Sequence, residues 1–531
     1  MKLTNTPAQA ETAEVKVLVQ GAPLHGTNGV MFDSDDRLYI ASINGNEIVV
    51  MDSDTGKILE RLGPDKGVIA PDDLAFGPDG SLYWTSLPIG EVGRLSPDGV
   101  KSGQKVARGV NPITFSDNGR LFVALDFLGD ALYELDPDFV DPPRLIAENL
   151  GWLNGMDWGP DGFLYGPIWS KGQVVRVNVD AGTITTVADG LGVPAAVKFD
   201  SQSRLHVLDQ RGEVWRVNTE TGNKEVVARL TPGGDNLAFD SQDRLFVSHT
   251  QDGTIFEGLP DGTTRTVSPG GMIFPGGVAV LPRPDGESVF VADFWTLREF
   301  DGLTGEERQV ERHWIGVPGS ITAPFTVSAD DDKLVVSSFL MGNKVQVWDP
   351  ENHTLLEEYP DFVAPLNAIR FQGDLIVAEL GTNSVVRASS ADPAERVTLA
   401  TGLGVPVGLA ATDDDLWVSD AATGSVLQIV DNGEPLAEPA LVVKDLASPE
   451  GLAVAPDGNL LVVEAGAGRL SSIDLKTGNV SIVAEGLEIG FPSEHPTWIF
   501  NGVAVGPSGA IYVTGDIANV LYRIEPGEGG K

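Results

Sequence analysis

Oxygen-bearing side chains recur just before short apolar strands, at intervals of about 40 residues. In the first half of the chain such positions are held by Asn28, Asp72, Asn111, Asn154 and Asp235. In the second half they are held by Asn367, Glu450 and Asn501. Carboxylate and amide oxygens that converge on one point are ligands for hard cations such as Ca²⁺, Mg²⁺ or Mn²⁺. If these positions face a common axis, the sequence predicts a metal site in each half.

A local explanation competes with the metal. Asn and Asp before Gly also serve strand-entry turns, through hydrogen bonds from the side chain to the nearby backbone. However, five of the six positions in the first half are Asn or Asp, with Ala195 the exception. A ring of acceptors without a cation would be electrostatically poor, because carboxylates repel one another. We therefore predict metal ligands at all eight positions and favour the first half as the site.

The elements that must position these side chains form an internal repeat. The segments NGVMFDSDDRLYI (28–40), NGMDWGPDGFLY (154–165), EGLAVAPDGNLLV (450–462) and NGVAVGPSGAIYV (501–513) each hold a short strand, a turn rich in Asp or Gly, and a second strand. Their alternation of apolar and polar residues is typical of half-buried strands. The unit begins near residues 28, 72, 111, 154, 195, 235, 276, 324, 367, 407, 450 and 501. A period of about 40 residues is typical of a four-stranded propeller blade.

Twelve such units predict an all-β protein, a β-propeller fold of about twelve four-stranded blades. Because propellers usually have about 4–8 blades, we predict two six-bladed propellers, over residues 26–270 and 271–531. A division into seven plus five is the alternative. The segment VKVLVQ (15–20) precedes the first unit, and we predict that it pairs with residues 520–524 and closes the last blade of the second propeller.

Composition excludes several functions. The chain has 531 residues and a formal net charge of −40, so binding to nucleic acid or to an anionic membrane is disfavoured. It has no cysteine, which removes disulfides, thiolate zinc sites and cysteine nucleophiles. The first residues carry no apolar segment of the signal-peptide type. We therefore expect a cytoplasmic protein, with a secreted or periplasmic protein whose signal peptide was removed as the alternative.

The second strand of each unit should end on the face where the first strand begins. Its last residues are therefore candidates for the rim of a pocket, namely Asp126, Asp209, His249, Asp293, Glu379, Asp420, Glu464 and Asp516. A carboxylate beside a metal-bound water can act as a general base. We name Asp235, Asp72, His249 and His25 as catalytic candidates, the two histidines because the sixth blade must neighbour the first. A solvated or turn-capping role is the alternative for each rim residue.

Aromatic residues near the same face are candidates to contact an organic substrate. They are Phe127, Trp152, Trp169, Phe294, Trp295, Phe325, Phe339 and Trp498. The alternative is packing between blades, the usual role of Trp in propellers. His495, in an insertion before Asn501, is a further histidine near that face.

The repeat resembles the gluconolactonase/regucalcin family and the related NHL and strictosidine-synthase-like propellers. The resemblance lies in Asn-Gly or Glu-Gly pairs followed by a short strand, an Asp/Gly turn and a β-rich strand. It implies a divalent cation in the channel, held by a Glu, Asn residues and an Asp. The Glu-Gly element of the family resembles Glu450-Gly451, and its Asn-Gly element resembles Asn154-Gly155 and Asn501-Gly502. Its Asp resembles Asp235 or Asp72.

The predicted function is a divalent-metal-dependent hydrolase of the lactonase or esterase type, acting on a small organic substrate in a propeller channel. We expect Ca²⁺ as the cofactor, with Mg²⁺, Mn²⁺ or Zn²⁺ as alternatives. Two other functions stay open: a metal-assisted lyase resembling virginiamycin B lyase, and a non-catalytic NHL-like binding propeller.

Overall fold

The described residues form twelve four-stranded antiparallel sheets. The structure is a computed structural model that describes residues 13–315, 317–339, 341–492 and 500–525. Its helices in these ranges are single 3₁₀ turns at Pro64–Lys66, Trp169–Lys171 and Ala465–Ala467. No helix of the described chain is long and apolar enough to span a membrane. The predicted all-β fold of twelve blades is confirmed.

Burial within a sheet falls from the inner strands to the outer strand. In one sheet every residue of the second strand, Leu205–Asp209, is buried, whereas the fourth strand, Lys224–Arg229, is largely half-buried or exposed. The inner strands carry apolar residues on both faces, and each face packs against a neighbouring sheet. The outer strand has solvent on one side, which permits the charged residues found there.

The first propeller is the compact unit formed by residues 22–273. Its six innermost strands contact one another in sequence, and the last contacts the first, so the ring is closed. Its sheets, each given from inner to outer strand, are β2 (Val30–Phe32), β3 (Arg37–Ser42), β4 (Glu47–Asp52), β5 (Ile58–Leu62); β6 (Pro71–Phe76), β7 (Leu82–Ser86), β8 (Glu91–Leu95), β9 (Lys101–Lys105); β10 (Val110–Phe115), β11 (Leu121–Leu125), β12 (Ala131–Leu135), β13 (Arg144–Glu148); β14 (Asp157–Trp158), β15 (Leu164–Ile168), β16 (Gln173–Asn178), β17 (Thr183–Ala188); β18 (Pro194–Phe199), β19 (Leu205–Asp209), β20 (Glu213–Val217), β21 (Lys224–Arg229); β22 (Gly234–Phe239), β23 (Leu245–His249), β24 (Thr254–Gly258) and β25 (Thr264–Ser268).

The second propeller is a separate compact unit, which takes its described residues from 13–21 and from 274 onward. Its six innermost strands also form a closed ring. Its sheets, from inner to outer strand, are β26 (Val278–Arg283), β27 (Gly286–Asp293), β28 (Thr296–Asp301), β29 (Glu307–Arg312); β30 (Thr326–Asp330), β31 (Lys333–Ser338), β32 (Lys344–Asp349), β33 (Thr354–Tyr359); β34 (Pro365–Phe371), β35 (Asp374–Glu379), β36 (Ser384–Ala388), β37 (Arg396–Ala400); β38 (Pro406–Ala411), β39 (Leu416–Asp420), β40 (Ser425–Asp431), β41 (Glu434–Val443); β42 (Pro449–Val454), β43 (Leu460–Glu464), β44 (Arg469–Ile473), β45 (Val480–Glu485); and β46 (Val503–Val505), β47 (Ile511–Gly515), β48 (Val520–Glu525), β1 (Glu14–Gln20).

The strand β1 is the outer strand of the last sheet in the second propeller. It runs antiparallel to β48, with Val15 opposite Ile524 and Val17 opposite Tyr522. The sheet therefore joins the beginning of the described chain to its end. Without β1, the strand β48 would be an exposed edge with unpaired backbone groups.

Deleting residues 1–20 should lower the stability of the second propeller, because it removes the backbone ladder between β1 and β48. At about 0.5–1.5 kcal/mol for each net hydrogen bond, the expected loss is about 3 kcal/mol. Calorimetry should show a melting temperature lowered by about 6–12 °C. Deleting residues 1–12 alone keeps β1 and is the matched control. An equal melting temperature for the two deletions would contradict the prediction.

Candidate functional site

Three predicted site residues occupy the same position in their strands. Asp72, Asn111 and Asp235 are each the second residue of an innermost strand of the first propeller, in β6, β10 and β22. In each case the pairing with the next strand shifts register just after the first residue. Such irregularities re-aim side chains near a strand end. Asp72 and Asn111 are buried, and Asp235 is partly exposed.

Asp126, which follows β11, is the most deeply buried carboxylate of this group. It is fully buried, and Asn111 Nδ2 donates a hydrogen bond to its Oδ2 at 3.0 Å. Its Oδ1 is buried and has no hydrogen-bond partner among the described residues. Burial, and then the charge of Asp72, raise the pKa of Asp126 well above its ordinary value, against the hydrogen bond from Asn111. A buried carboxylate oxygen without a donor is costly unless a proton or a cation reaches it.

Two neighbouring carboxyl groups also have raised pKa values. Burial, followed by the charges of Asp235 and Asp73, raises the pKa of Asp72 well above its ordinary value. Burial and the charge of Asp73 raise the pKa of Asp235 to about 7. These couplings indicate that Asp72, Asp73, Asp126 and Asp235 share one electrostatic field in the channel. Within the described ranges, no three His, Asp or Glu side chains are close enough, as placed, to hold one metal ion.

Asp73 belongs to this group, and the sequence analysis missed it. Its Oδ1 accepts hydrogen bonds from Leu74 N at 2.9 Å and Asn236 Nδ2 at 3.1 Å, and its Oδ2 accepts one from Ile113 N at 3.1 Å. Burial raises the pKa of Asp73, while Lys198 and these donors lower it. A Cβ atom on Gly29 would lie 2.4 Å from Asp73 Oδ1, so that glycine leaves space for the carboxylate.

A half-buried ion pair between Lys198 and Asp157 was also missed. Lys198 Nζ lies 4.0 Å from Asp157 Oδ1, and Asp157 Oδ2 accepts a hydrogen bond from Phe199 N at 2.8 Å.

A signal for Asp73 and Asn236 was present in the sequence. Both follow a predicted axial position, at a place where several other units have Gly.

The remaining predicted residues of the first propeller are buried near strand starts and ends. Asn28 Oδ1 accepts a hydrogen bond from Ile43 N at 3.4 Å, and Asn154 Oδ1 accepts one from Gly155 N at 2.7 Å. The bond at Asn154 is a local one of the strand-entry type, whereas Asn28 accepts from the end of the neighbouring strand. A ligand role for both residues stays a prediction. His249 Nε2 lies 2.7 Å from the Pro232 carbonyl oxygen. His25 is buried as well, and the catalytic role of either histidine stays a prediction.

Most rim carboxylates cap the chain segment that enters their own blade. Asp209 accepts a hydrogen bond from Val193 N at 3.1 Å, and Glu379 accepts one from Val363 N at 2.9 Å. The same arrangement is found at Asp293, Asp420 and Glu464. For these five residues the turn-capping alternative describes the geometry. Asp126 differs, because its side chain has the Asn111 amide in place of such a backbone donor.

The second propeller has an equivalent set of three polar residues, with different hydrogen bonds. By strand register, Glu450, Asn501 and Asp516 correspond to Asp72, Asn111 and Asp126, and in both cases the two blades are adjacent. Asn501 donates from its backbone N and from Nδ2 to Glu450 Oε2, at 2.6 and 2.9 Å. Asp516 accepts hydrogen bonds from the backbone of residues 490 and 491 on its two oxygens, at 2.8 and 3.0 Å.

Burial and the charge of Asp516 raise the pKa of Glu450 to about 8, against the donors of Asn501. Burial raises the pKa of Asp516 to about 6, against its hydrogen bonds. Asn367 is buried in β34. Metal ligation at Asn367, Glu450 and Asn501 stays a prediction. His495 and Trp498 lie outside the described residues.

Comparison with known proteins gives structural matches alone. No family model matches this chain, and no curated protein matches it. Virginiamycin B lyase from Staphylococcus aureus matches with 16% identity over 53% of this chain and 96% of its own, at a TM-score of 0.39. A structure described as a gluconolactonase has 15% identity over 49% of this chain and 94% of its own, at a TM-score of 0.38.

An extracellular domain of a one-component system from B. thetaiotaomicron covers 97% of this chain and 82% of its own length, at 11% identity and a TM-score of 0.34. At these values the matches carry no argument about activity. The class of the protein follows from its own sheets: the described residues form two six-bladed β-propellers.

Matched substitutions should separate the two buried aspartates Asp73 and Asp126. Asp73→Asn leaves one acceptor oxygen for donors that face both carboxylate oxygens, so we expect a loss of about 2–3 kcal/mol. Asp126→Asn keeps an acceptor for Asn111 and removes a buried charge, so we expect no loss of stability. Urea unfolding at neutral pH measures both. Equal destabilisation by the two substitutions would show that these contacts are assigned wrongly.

The second propeller should lose stability with rising pH through Glu450. Its pKa of about 8 lies above the ordinary value of 4.5, so the folded state binds this proton more tightly than the unfolded chain. The resulting stabilisation is complete below about pH 4.5 and is lost as the pH rises towards 8. We expect the free energy of unfolding of the wild type to fall by at least about 2 kcal/mol relative to Glu450→Gln between pH 5 and 8.5. Parallel pH profiles would contradict this.

Proposed function

We propose that the first propeller binds a divalent cation in its channel and hydrolyses small lactones or esters there. Asp72 and Asp126 would hold the cation together with the amide oxygen of Asn111, and water would complete the coordination. This is a set of hard oxygen donors, which suits Ca²⁺, Mg²⁺ or Mn²⁺. The single observation that carries the proposal is the buried Oδ1 of Asp126, which lacks a hydrogen-bond donor among the described residues.

The raised pKa values of these carboxyl groups support a cation at this position. Asp72 and Asp126 have pKa values well above the ordinary value because burial, and then the charges of neighbouring aspartates, disfavour their ionised forms. A divalent cation would relieve both penalties, since opposite charge favours the ionised form. The donors that satisfy Asp73 are protein groups, which leaves Asp73 as a structural acceptor beneath the proposed ligands.

Asp235 is suited to move the proton. It is partly exposed in the channel, and its pKa of about 7 lies near the pH at which a general base is most effective. A bound divalent cation would polarise the substrate carbonyl and lower the pKa of a water. The water oxygen bonds to the acyl carbon while Asp235 takes the proton. The acyl–oxygen bond then breaks, and Asp235 returns the proton to the leaving oxygen, so that a lactone opens to a hydroxy acid.

The same reasoning favours the first propeller over the second. In the second propeller both oxygens of Asp516 accept backbone hydrogen bonds, and Glu450 Oε2 has two donors from Asn501. These contacts compete with a cation for the same lone pairs. Three of the four carboxylate oxygens of Glu450 and Asp516 therefore already accept hydrogen bonds from the protein.

Metal content and affinity test the cation site. Protein purified without added metal is analysed for its elements, treated with EDTA, and titrated with Ca²⁺ and Mn²⁺ by calorimetry. We expect one cation bound to the wild type, and an affinity lowered at least tenfold in Asp126→Asn. The matched control is Asp516→Asn, the same substitution at the corresponding position of the second propeller. Unchanged affinity in Asp126→Asn, or no binding to the wild type, would overturn the site.

Turnover of a panel of lactones and esters, with and without Ca²⁺, Mg²⁺, Mn²⁺ or Zn²⁺, tests the reaction. We expect a product whose mass has increased by one water, and a kcat lowered by about 10²–10⁴-fold in Asp235→Asn, as for loss of a general base. A product formed without gain of water would identify elimination, the chemistry of the alternative lyase. Absence of turnover across the panel, with the cation bound, would favour the binding function.

A further inference from the structure

Three aromatic rings cluster in the first propeller, and one of them directly follows Asp126 in the chain. The Phe127 ring lies between Trp152 and Trp169, with centroid distances of 5.6 and 5.5 Å. Phe127 follows Asp126 directly, and Trp152 is two residues before Asn154. Phe127 and Trp152 are partly exposed, whereas Trp169 is buried. The cluster therefore presents aromatic surface at the strand end that carries Asp126.

The backbone holds two of these rings in an unfavourable conformation. Phe127 has a φ of +54° and Trp152 a φ of +67°. Bulky residues seldom adopt this left-handed region, and each instance costs about 1–3 kcal/mol. Such strain persists where the surrounding contacts over-determine it.

One carboxylate holds the loop that carries Trp152 in place. Asp130 accepts hydrogen bonds from Leu150 N, Gly151 N and Trp152 N, at 3.0, 2.8 and 3.3 Å. Trp169 N donates to the Trp152 carbonyl oxygen at 3.0 Å, which ties the two tryptophans together. The aromatic cluster is therefore preorganised, so that little ordering remains to oppose ligand binding.

The electrostatics of this cluster differ from those of other rings in the same propeller. Several rings there carry a cationic side chain over the ring, including Arg120 on Phe122 at 5.3 Å and Lys224 on Trp215 at 5.7 Å. Among the described residues, no Lys or Arg lies over Phe127, Trp152 or Trp169. Aromatic faces attract cations, and the net charge of −40 acts in the same direction.

We propose that Phe127, Trp152 and Trp169 form a binding site for an organic cation, a protonated or quaternary amine. The assignment of this cation as part of the substrate rests on the proposed function. The binding of the cation does not, because it depends on the aromatic faces and not on hydrolysis. A substrate with an amine at one end and an ester at the other would place the amine on the rings and the ester towards Asp126 and Asp235.

Choline and its uncharged isostere 3,3-dimethylbutan-1-ol test the proposal, because they differ in charge and hardly in shape. Ligand-observed NMR titrations give the affinity of each for the full-length protein. We expect the wild type to prefer choline at least tenfold, which corresponds to about 1.4 kcal/mol. Trp152→Leu should lose this preference, with Trp215→Leu as the matched control that retains it. Phe127→Leu is the second variant, and circular dichroism checks that each variant is folded.

Asp126→Asn distinguishes this proposal from the proposed hydrolase. We expect that variant to lose hydrolysis and keep the preference for choline, since the aromatic cluster is intact. Equal affinity of the wild type for the two probes would overturn the organic-cation site. So would a preference that survives both Trp152→Leu and Phe127→Leu, or one that disappears in Asp126→Asn, because the cation would then bind at the carboxylates.

Discussion

Ring closure is the constraint on which the rest of each propeller depends. The inner strands of every sheet carry apolar residues on both faces, and a sheet can bury both faces only between two neighbours. In the first propeller, Leu38 and Ile40 of the first sheet pack with Phe246 and Ile255 of the last, which closes the ring. Closure brings the starts of six inner strands to one axis. Polar side chains at those positions then share a channel, whatever their mutual repulsion costs.

The buried carboxylates of this channel are of two kinds, which differ in the hydrogen bonds that they accept. Asp73 receives donors from strands β6, β10 and β22, so its charge contributes to holding three blades together. Asp126 has one amide donor, and its second oxygen has none among the described residues. A carboxylate of the first kind stabilises the fold. One of the second kind destabilises it unless something binds, which is the behaviour expected of a functional group.

Comparison of the two propellers sharpens this distinction. The same strand positions hold Asp72, Asn111 and Asp126 in one and Glu450, Asn501 and Asp516 in the other. In the second propeller the segment that enters the last blade supplies backbone donors to Asp516, so the carboxylate is used within the fold. In the first propeller the equivalent carboxylate, Asp126, directly precedes Phe127, whose backbone has a positive φ. The same strand position thus holds a fully hydrogen-bonded carboxylate in the second propeller, whereas in the first propeller one of its oxygens has no donor among the described residues.

The sequence by itself determined the twelve blades, because strand alternation, turn residues and the repeat period are local properties that neighbouring residues encode. It also placed Asp72, Asn111 and Asp235 at the starts of innermost strands. The tertiary structure alone decided which oxygens are satisfied. Asn236 and Asp73, which are 163 residues apart along the chain, become hydrogen-bonded only when the ring closes. Hydrogen bonding and pKa depend on such long-range distances, and a repeat pattern does not contain them.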